Sequence, residues 1–244
     1  MKQYGLIGYP LSHTFSPGYF ARKFENESIL DSRYDAYELR NISEFADLAN
    51  HNLSGLNVTI PYKEEVIPYL DDLSDEARAI GAVNTILFNG SQKIGFNTDV
   101  YGFQKSLEGF CQSCRSLNGA LVLGSGGASK AVTFVLDRLG IRYLVVSRSK
   151  GHIRYEDIEE EQMTQHNLIV NTTPLGMHPN VEDHPSIPYH LVGEAHYFFD
   201  LIYNPAKTTF LIKAEEKGAR IKNGLEMLEL QAEKSWEIWQ SVHS

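Results

Sequence analysis

The chain has 244 residues, of which 42% are hydrophobic and 22% charged, and this composition is typical of a folded globular protein. Its formal net charge of −9 argues against nucleic acid as a partner, because phosphate binding needs a basic face. No apolar run approaches the roughly 20 residues of a membrane span, and the N-terminus lacks a signal-peptide pattern. We therefore expect a cytoplasmic protein that does not bind a membrane.

The cysteines favour the same conclusion. Cys111 and Cys114 form a single CxxC pair, a spacing found in redox motifs and in half of a zinc site. A structural zinc site would need a second pair, and the sequence has none. We interpret the two cysteines as reduced thiols and expect no metal.

The first hundred residues alternate between strand-like and helix-like segments. The predicted strands are 4–9, 34–39, 56–60, 83–88 and 93–96, the last two joined at Asn89-Gly90, a strong hairpin signal. The predicted helices are a stretch from Ser16-Pro17 through Phe24, 41–51, 62–70 and 74–80. This alternation predicts an α/β domain with a mostly parallel sheet and at least one hairpin.

A second α/β series begins near Asp99. Its predicted strands are 119–123, 143–146, 167–170 and 197–202, and its predicted helices are 100–110, one that reaches Leu139, and 208–217. From Leu225 to Val242 the apolar residues, with Ser235 among them, fall on one stripe at helical spacing. That pattern predicts a long amphipathic helix at the end of the chain.

A glycine-rich turn, GSGGAS at residues 124–129, follows the strand 119–123 and opens a helix. Alone, this match to a dinucleotide-binding motif is weak, because an ordinary tight turn can have the same glycine pattern. In this context, the first glycine would permit the turn and the second would let the backbone approach a pyrophosphate. The unpaired N–H groups of the helix N-terminus would then face the phosphates, so a dinucleotide site is predicted.

The next strand indicates which dinucleotide. NAD-binding proteins usually place a carboxylate about 20 residues after the glycines. Here the strand 143–146 is followed by Ser147, Arg148, Ser149 and Lys150, without a carboxylate. Arg148 could grip a 2′-phosphate with two hydrogen bonds, or it could be a solvated loop cation. We favour NADP over NAD.

Small polar side chains recur in three places in the first half of the chain. They lie in LSHTFSP at 11–17, in NVTIPYK at 57–63, and in GAVNT at 81–85 together with GFNTD at 95–99. Such a set suits a small polyhydroxylated ligand, because each hydroxyl needs a donor or an acceptor. Lys63 would lie in the first turn of a predicted helix, where the helix dipole opposes its charge.

Eight segments in chain order resemble the shikimate dehydrogenase family. They are residues 5–17, 57–63, 81–85, 95–103, 124–129, 171–177 (NTTPLGM), 199–203 (FDLIY) and 223–231 (NGLEMLELQ). The resemblance implies NADP-dependent interconversion of 3-dehydroshikimate and shikimate in aromatic amino-acid biosynthesis. It implies a substrate-binding domain of residues 1–98 plus 225–244 and a Rossmann-type domain of residues 99–224. The last helix would return to the first domain, and the crevice between the domains would hold the chemistry. We expect a monomer or a homodimer.

The resemblance also implies roles for individual residues. Lys63 and Asp99 match the family's catalytic pair. The residues matching substrate contacts are Thr14, Ser16, Asn57, Thr59, Asn84, Tyr203 and Gln231. Those matching cofactor contacts are Gly124, Gly126, Gly127, Ala128, Ser147, Arg148, Ser149, Leu201, Gly224 and Met227.

The sequence departs from the family at three places. Thr14 stands where the family usually has Ser, and its extra methyl group could shift the preference among shikimate, quinate and related acids. The segment 150–167 is short, and Lys150 and Arg154 are the candidates for a second phosphate-binding cation. Glu226 replaces a residue that is often small, and its simplest interpretation is a solvent-facing side chain.

The mechanistic hypothesis makes Lys63 the acid that protonates the developing alkoxide. The helix N-terminus would destabilise its charged form and Asp99 would stabilise it. The alternatives are a solvated Lys63, an Asp99 that caps a helix, and a Gln231 at the boundary of the apolar stripe. Two other functions stay open: a broader quinate/shikimate dehydrogenase, and a non-catalytic NADP-sensing module.

Overall fold

The computed structural model describes residues 1–11, 14–111, 117–149 and 152–241. Cys114 and Lys150, both discussed above, lie outside the described residues. The chain divides into two compact units: a first unit, Met1–Thr98 with Ala232–Ser244, and a second unit, Asp99–Gln231. The sequence-based division also starts its second part at Asp99, but it returns the chain to the first part at Leu225 instead of Ala232.

The first unit is a six-stranded α/β layer. Its strands are β1 (Lys2–Gly8), β2 (Ser32–Glu38), β3 (Gly55–Val58), β4 (Asp72–Leu73), β5 (Thr85–Asn89) and β6 (Gln92–Phe96). Its helices are α1 (Phe15–Asn26), α2 (Phe45–Leu48), α3 (Asp75–Ile80) and the last part of α8 (Leu225–Gln240). The strand order is β2-β1-β3-β5-β6-β4, with β5 antiparallel to both neighbours. The predicted hairpin therefore forms, and the glycine at its turn, Gly90, has a φ of +60°.

The second unit has a parallel sheet in the order β11-β10-β9-β7-β8. Its strands are β7 (Ala120–Leu123), β8 (Tyr143–Val146), β9 (Leu168–Asn171), β10 (Tyr197–Asp200) and β11 (Arg220–Lys222). Its helices are α4 (Asp99–Phe110), α5 (Gly127–Arg138), α6 (Glu160–Gln165), α7 (Thr209–Glu215) and the first part of α8. Three of the strands are buried at every residue, which explains why they are almost entirely apolar: β7, β9 and β10.

The predicted helix 62–70 is wrong. After β3 the chain makes consecutive turns, with backbone bonds from Val66 N to Tyr62 O at 3.0 Å and from Ile67 N to Glu64 O at 3.2 Å, and then a 3-10 helix at Ile67–Tyr69. The carbonyl oxygen of Lys63 accepts from Val83 N at 2.7 Å, a bond outside any helix. Because no α-helix follows Pro61, the dipole argument for Lys63 has no structural basis.

Several local predictions are confirmed. Asn41 accepts from Ser43 N, and Glu44 accepts from Asn41 N, which together form the predicted capping box. The helix that follows is shorter than predicted, since α2 ends at Leu48. Ser74 caps α3 by accepting from Ala77 N at 3.2 Å.

The end of α8 completes the core of the first unit. Trp239 is 1% exposed, stacks on Tyr4 at 4.9 Å between ring centroids, and donates from Nε1 to Ile86 O at 3.0 Å. A Cβ on Gly55 would lie 2.2 Å from Trp239 Nε1, so the glycine makes room for the indole. Within the described ranges, no helix is both long enough and apolar enough to span a membrane.

Candidate active site

A buried polar network lies in the first unit where β3, β5 and α8 meet. Asn57 donates from Nδ2 to Thr85 Oγ1 at 3.2 Å, to Ser235 Oγ at 3.0 Å and to Asn84 O at 3.2 Å. Thr85 Oγ1 in turn lies 2.8 Å from Ser235 Oγ and 3.3 Å from Thr98 Oγ1. These side chains are nearly inaccessible, and each polar atom in such a place needs a partner.

The network continues to the start of α1. Tyr34 donates its hydroxyl hydrogen to Asn57 Oδ1 at 2.8 Å, and Ser16 forms a hydrogen bond with the same hydroxyl. Burial raises the pKa of Tyr34, and the Ser16 hydrogen bond opposes that rise. The Tyr34 hydroxyl thus links Ser16, in the first turn of α1, to Asn57 of β3. Its neighbour Thr14 donates from Oγ1 to Leu11 O at 3.3 Å and makes no side-chain cap on α1.

Asn84 carries the network to the end of the first unit. Its Oδ1 accepts from the backbone N of Thr98 at 2.7 Å, and its Nδ2 donates to Thr98 Oγ1 at 3.0 Å. Asp99, 8% exposed, follows directly as the first residue of α4 and of the second unit. Of the predicted polar residues of the first unit, Ser16, Asn57 and Asn84 are thus linked by this network, whereas Asp99 is assigned to the other unit.

Thr59 and Lys63 flank the exposed Ile60-Pro61 turn after β3, and both side chains are half-buried. The backbone N of Thr59 donates to Ile7 O at 2.9 Å, which fixes the end of β3 against β1. The carbonyl bond from Val83 N to Lys63 holds the backbone of the lysine next to the segment that carries Asn84.

The glycine loop of the second unit has the geometry of a phosphate cradle. Gly124 follows β7 with a φ of +111°, and a Cβ there would lie 2.6 Å from Thr172 Oγ1. Gly126 is the N-cap of α5 without a side-chain cap bond, and a Cβ there would meet nothing within 4 Å. Gly127 and Ala128 open α5. The first turn of this helix presents backbone N–H groups toward space that the second glycine leaves open, and that arrangement fits an anion.

The loop after β8 is linked to the glycine loop. Ser147 Oγ, in a side chain that is 7% exposed, lies 2.9 Å from Ser125 Oγ and accepts from Ser149 N at 3.2 Å. Arg148 is exposed between the two serines. Burial raises the pKa of Tyr155, and the charge of Arg148 opposes that rise. The guanidinium of this loop residue is therefore within electrostatic reach of Tyr155.

The other predicted cofactor residues lie after β10 and at the start of α8. Leu201 N donates to Asn171 O at 3.1 Å, and a Cβ on Gly224 would lie 2.1 Å from Leu201 O. Met227 is buried, and its carbonyl oxygen would lie 2.4 Å from a Cβ on Gly102 of α4. The first turns of α8 are thus in backbone contact with α4 and with the loop after β10.

Two predicted substrate residues belong to the second unit. Tyr203 is half-buried, and burial raises the pKa of its hydroxyl. Gln231 is 7% exposed and donates from Nε2 to Leu228 O at 2.9 Å, one turn earlier in α8.

Glu226 is not a simple solvent-facing residue. It accepts from Ser106 Oγ at 2.8 Å and forms an ion pair with Lys222, and the Lys222 hydrogen bond lowers the pKa of its carboxyl group. Its side chain is about half exposed and joins the first turn of α8 to α4. In the part of the chain that the structure describes, no three His, Cys, Asp or Glu side chains are grouped to hold a metal ion.

Sequence reasoning missed two members of the polar network, Tyr34 and Ser235; Thr85 and Thr98 lay in the predicted polar segments 81–85 and 95–99 but received no individual role. Ser235 left the clearest signal, because it is a small polar residue on the otherwise apolar stripe of the last helix. Tyr34 could not be found from its strand pattern, which does not reveal where a hydroxyl points.

Comparison with known proteins identifies the family. Residues 6–86 match the family model for the shikimate dehydrogenase substrate binding domain. A shikimate dehydrogenase (NADP(+)) from Clostridium beijerinckii is 40% identical to this chain over an alignment of 253 positions. The alignment covers 98% of this chain and 92% of that protein. The chain belongs to the shikimate dehydrogenase family.

Solved structures of family members have the same fold. The shikimate dehydrogenase of Aquifex aeolicus has a TM-score of 0.88 at 36% identity, covering 98% of this chain and 92% of that one. The enzyme from Thermus thermophilus, solved with NADP(H) and shikimate, has a TM-score of 0.84 at 31% identity, covering 98% and 93%. The predicted family and the predicted two-domain α/β fold are confirmed. NADP is the cofactor in the name of the curated relatives, as the loop after β8 predicted.

Proposed function

We propose that this protein catalyses the reversible, NADPH-dependent reduction of 3-dehydroshikimate to shikimate. The observation that carries the proposal is the similarity, over nearly the full length, to shikimate dehydrogenases (NADP(+)). The cytoplasmic location and the monomer or homodimer state expected from the sequence stay predictions.

The polar network of the first unit supports a polyhydroxylated substrate. We propose that Thr14, Ser16, Thr59 and Asn84 contact the substrate, and that Asn57 contributes by holding this framework in place. Asn57 already donates and accepts within the network, so its position is fixed by Tyr34, Thr85 and Ser235. Fixed donors and acceptors discriminate strongly, because a ligand that lacks the matching hydroxyl leaves them unpaired. Tyr203 and Gln231 complete the proposed set from the second unit.

The second unit fits NADP. Gly124, Gly126, Gly127 and Ala128 would receive the pyrophosphate, and Ser147, Arg148 and Ser149 would receive the adenosine 2′-phosphate. Leu201, Gly224 and Met227 would border the nicotinamide. When bound, the nicotinamide supplies the hydride, so the protein's own part is to bind, to orient and to move a proton.

We assign the proton transfer to Lys63, with Asp99 as its partner. A ketone that accepts a hydride becomes an alkoxide, and an ammonium group can protonate it as the charge develops. The absence of a helix after Pro61 removes the dipole from this argument. The assignment therefore depends on the family resemblance and on the half-buried place of Lys63 beside the polar network.

The decisive experiment follows NADPH absorbance as the purified protein is mixed with 3-dehydroshikimate. We expect rapid NADPH oxidation, and we expect Lys63→Ala to lower kcat by about 10²–10⁴-fold with a small change in KM. Lys105→Ala is the matched control, because Lys105 is exposed on α4 and forms an ion pair with Glu108. A loss in KM with kcat intact would reject the acid role. Tight NADPH binding without any turnover would favour a sensing module instead.

Thr14 bears on the second candidate, a dehydrogenase that also accepts quinate. The Thr14 hydroxyl donates to Leu11 O, and its side chain carries one methyl group more than the serine usual in the family. We expect Thr14→Ser to raise kcat/KM for quinate more than for shikimate. A panel of both acids with both NADP and NAD separates the narrow enzyme from the broad one.

A further inference from the structure

Asp200 is a fully buried carboxylate at the end of β10, with 0% exposure. Its Oδ1 accepts from Asn171 Nδ2 at 3.0 Å and from Ile202 N at 3.0 Å. Its Oδ2 accepts from Thr208 Oγ1 at 2.5 Å. Both oxygens are therefore engaged, and all three donors are neutral.

These bonds join three separate segments of the second unit. Asn171 ends β9 and is the direct neighbour of Asp200 in the parallel ladder. The Asn171 Oδ1 in turn accepts from both the backbone N and the Oγ1 of Thr173, at 3.0 and 2.7 Å. Thr208 is the N-cap of α7. One carboxylate thus connects the loop after β9, the loop after β10 and the start of α7.

Both loops lie at the edge of the sheet where a dinucleotide would bind. In open parallel sheets, ligands bind outside the carboxyl ends of the strands. The glycine loop follows β7, and the Ser147–Ser149 loop follows β8, at the outer end of the order β11-β10-β9-β7-β8. If the adenosine half of NADP binds at the end of β8, the nicotinamide half would lie at the ends of β9 and β10.

The backbone next to Asp200 is restrained as well. Leu201 N donates to Asn171 O, and Gly224 N donates to Ile202 O at 3.0 Å. Gly224 approaches Leu201 O so closely that no side chain fits between them. A small movement of Asp200 would therefore shift the whole segment 201–203.

We propose that Asp200 is a positioning residue that fixes the nicotinamide-side wall of the cofactor site, formed by residues 171–175 and 201–203, through Asn171, Ile202 and Thr208. The inference rests on the proposed NADP binding, but it does not depend on which substrate the protein reduces. An amide in place of the carboxylate keeps one acceptor for Asn171 and Ile202, but it removes the charge that strengthens these bonds and forces the Thr208 hydroxyl to accept instead of donate. A misplaced wall lowers affinity or rate steeply, since misplacement by about 1 Å can cost a factor of 10².

The burial of Asp200 is consistent with this role. Burial raises the pKa of the carboxyl group to about 6, and its three hydrogen bonds oppose that rise. A buried ionised group is costly to maintain. A neutral residue at this place would avoid that cost but could not accept from all three segments.

The test compares two ligands in the folded protein, NADPH and adenosine 2′,5′-bisphosphate, which lacks the nicotinamide half. We expect Asp200→Asn to raise the Kd of NADPH by about tenfold or more, with the Kd of the bisphosphate changed less than about twofold. The matched control is Asp137→Asn, an exposed aspartate near the end of α5 that accepts from Tyr143 Oη at 3.1 Å. It should change neither value.

A second pair of variants covers the case in which Asp200→Asn does not fold. Thr208→Val removes one of the three donors together with the cap of α7 and should weaken NADPH selectively, whereas Thr208→Ser keeps both hydrogen bonds and should keep the wild-type Kd. Equal loss of both ligands, or no loss of either, would overturn the proposal. Failure of the wild type to reduce 3-dehydroshikimate would refute the proposed substrate. The comparison of Kd values would still test the role of Asp200, because it depends only on cofactor binding.

Discussion

Asn57 Nδ2 donates to Ser235 Oγ at 3.0 Å, so a strand in the first quarter of the chain is bonded to its last helix. The same serine oxygen lies 2.8 Å from Thr85 Oγ1 and 3.2 Å from Thr98 Oγ1. Ser235 is completely buried, so no water can replace it without a change in packing. The substrate-side framework therefore depends on a helix that belongs to the other end of the chain.

We expect Ser235→Ala to lower the free energy of unfolding by about 1–3 kcal/mol, because three buried polar groups lose a shared partner. It should also raise the KM for shikimate more than it lowers kcat. Urea denaturation and steady-state kinetics measure the two effects. Ser241→Ala is the control, since the exposed Ser241 hydroxyl donates to Ile238 O within its own helix turn. Unchanged stability and KM in Ser235→Ala would show that the network is dispensable.

Gly55 gives a test of packing against Trp239. A Cβ at Gly55 would overlap the indole at 2.2 Å, so Gly55→Ala should displace Trp239 and break its bond to Ile86 O. We expect a loss of about 1–3 kcal/mol in unfolding free energy, with a changed near-ultraviolet circular dichroism spectrum. Gly109→Ala is the matched control, because a Cβ there meets nothing within 4 Å in the helix α4. That variant should be neutral or stabilised by up to about 1 kcal/mol.

Two glycines of the cofactor loop should respond differently to the same change. Gly124→Ala forces a side chain into a φ of +111° and against Thr172, so it should lower both stability and NADPH affinity. Gly126→Ala meets nothing within 4 Å in the protein, so it should lower NADPH affinity and leave the unfolding free energy nearly unchanged. Calorimetric titration with NADPH and thermal denaturation separate the two outcomes. Equal affinity of Gly126→Ala and wild type would refute a pyrophosphate at this loop.

Arg148 is predicted to select NADP over NAD. An arginine hydrogen bond to a phosphate contributes about 1.5–3 kcal/mol, so Arg148→Ala should raise the Kd of NADPH by roughly tenfold or more. The Kd of NADH, which lacks the 2′-phosphate, should stay the same. Arg142→Ala serves as the control, because the exposed Arg142 donates to Asn118 O. A parallel loss of both cofactors in Arg148→Ala would contradict the assignment.

Asp200 also predicts a pH dependence of stability. Its pKa is raised from 3.8 to about 6 by burial, so the folded state holds this proton more tightly than the unfolded chain. Its contribution to stability is therefore greatest below pH 3.8 and is lost as the pH rises through about 6. This difference in pKa between the folded and unfolded states corresponds to roughly 3 kcal/mol of unfolding free energy. Burial raises the pKa of the neighbouring Tyr189 too, and the charge of Asp200 adds to that effect.

Asp200→Asn removes this titration. The stability of the wild type relative to the variant should fall between pH 3.8 and about 6, and stay level above that range. Urea denaturation at a series of pH values measures the difference. A difference that is constant with pH would show that Asp200 keeps an ordinary pKa in the folded protein.

The sequence was sufficient for most of the fold because its signals are local. The apolar runs of β7 to β10 and the Ser74 cap each depend on a few adjacent residues. The strands β4 and β11, of two and three residues, are too short for any periodicity, so they were missed. The segment after Pro61 has a helical sequence pattern but forms turns, and its backbone is held by a residue from outside the segment, since Val83 N donates to Lys63 O. Ser235 was missed as a network member for the same reason: its partners are distant in sequence.

The place of Trp239 has a consequence for how the protein is made. A ribosome delivers β1, α1 and β5 before the second unit, yet the pocket between Tyr4, Phe20 and Gly55 is filled by Trp239, which follows the whole second unit in the chain. The second unit, by contrast, is one uninterrupted stretch of chain. The first unit therefore cannot complete its core until the whole second unit has been translated.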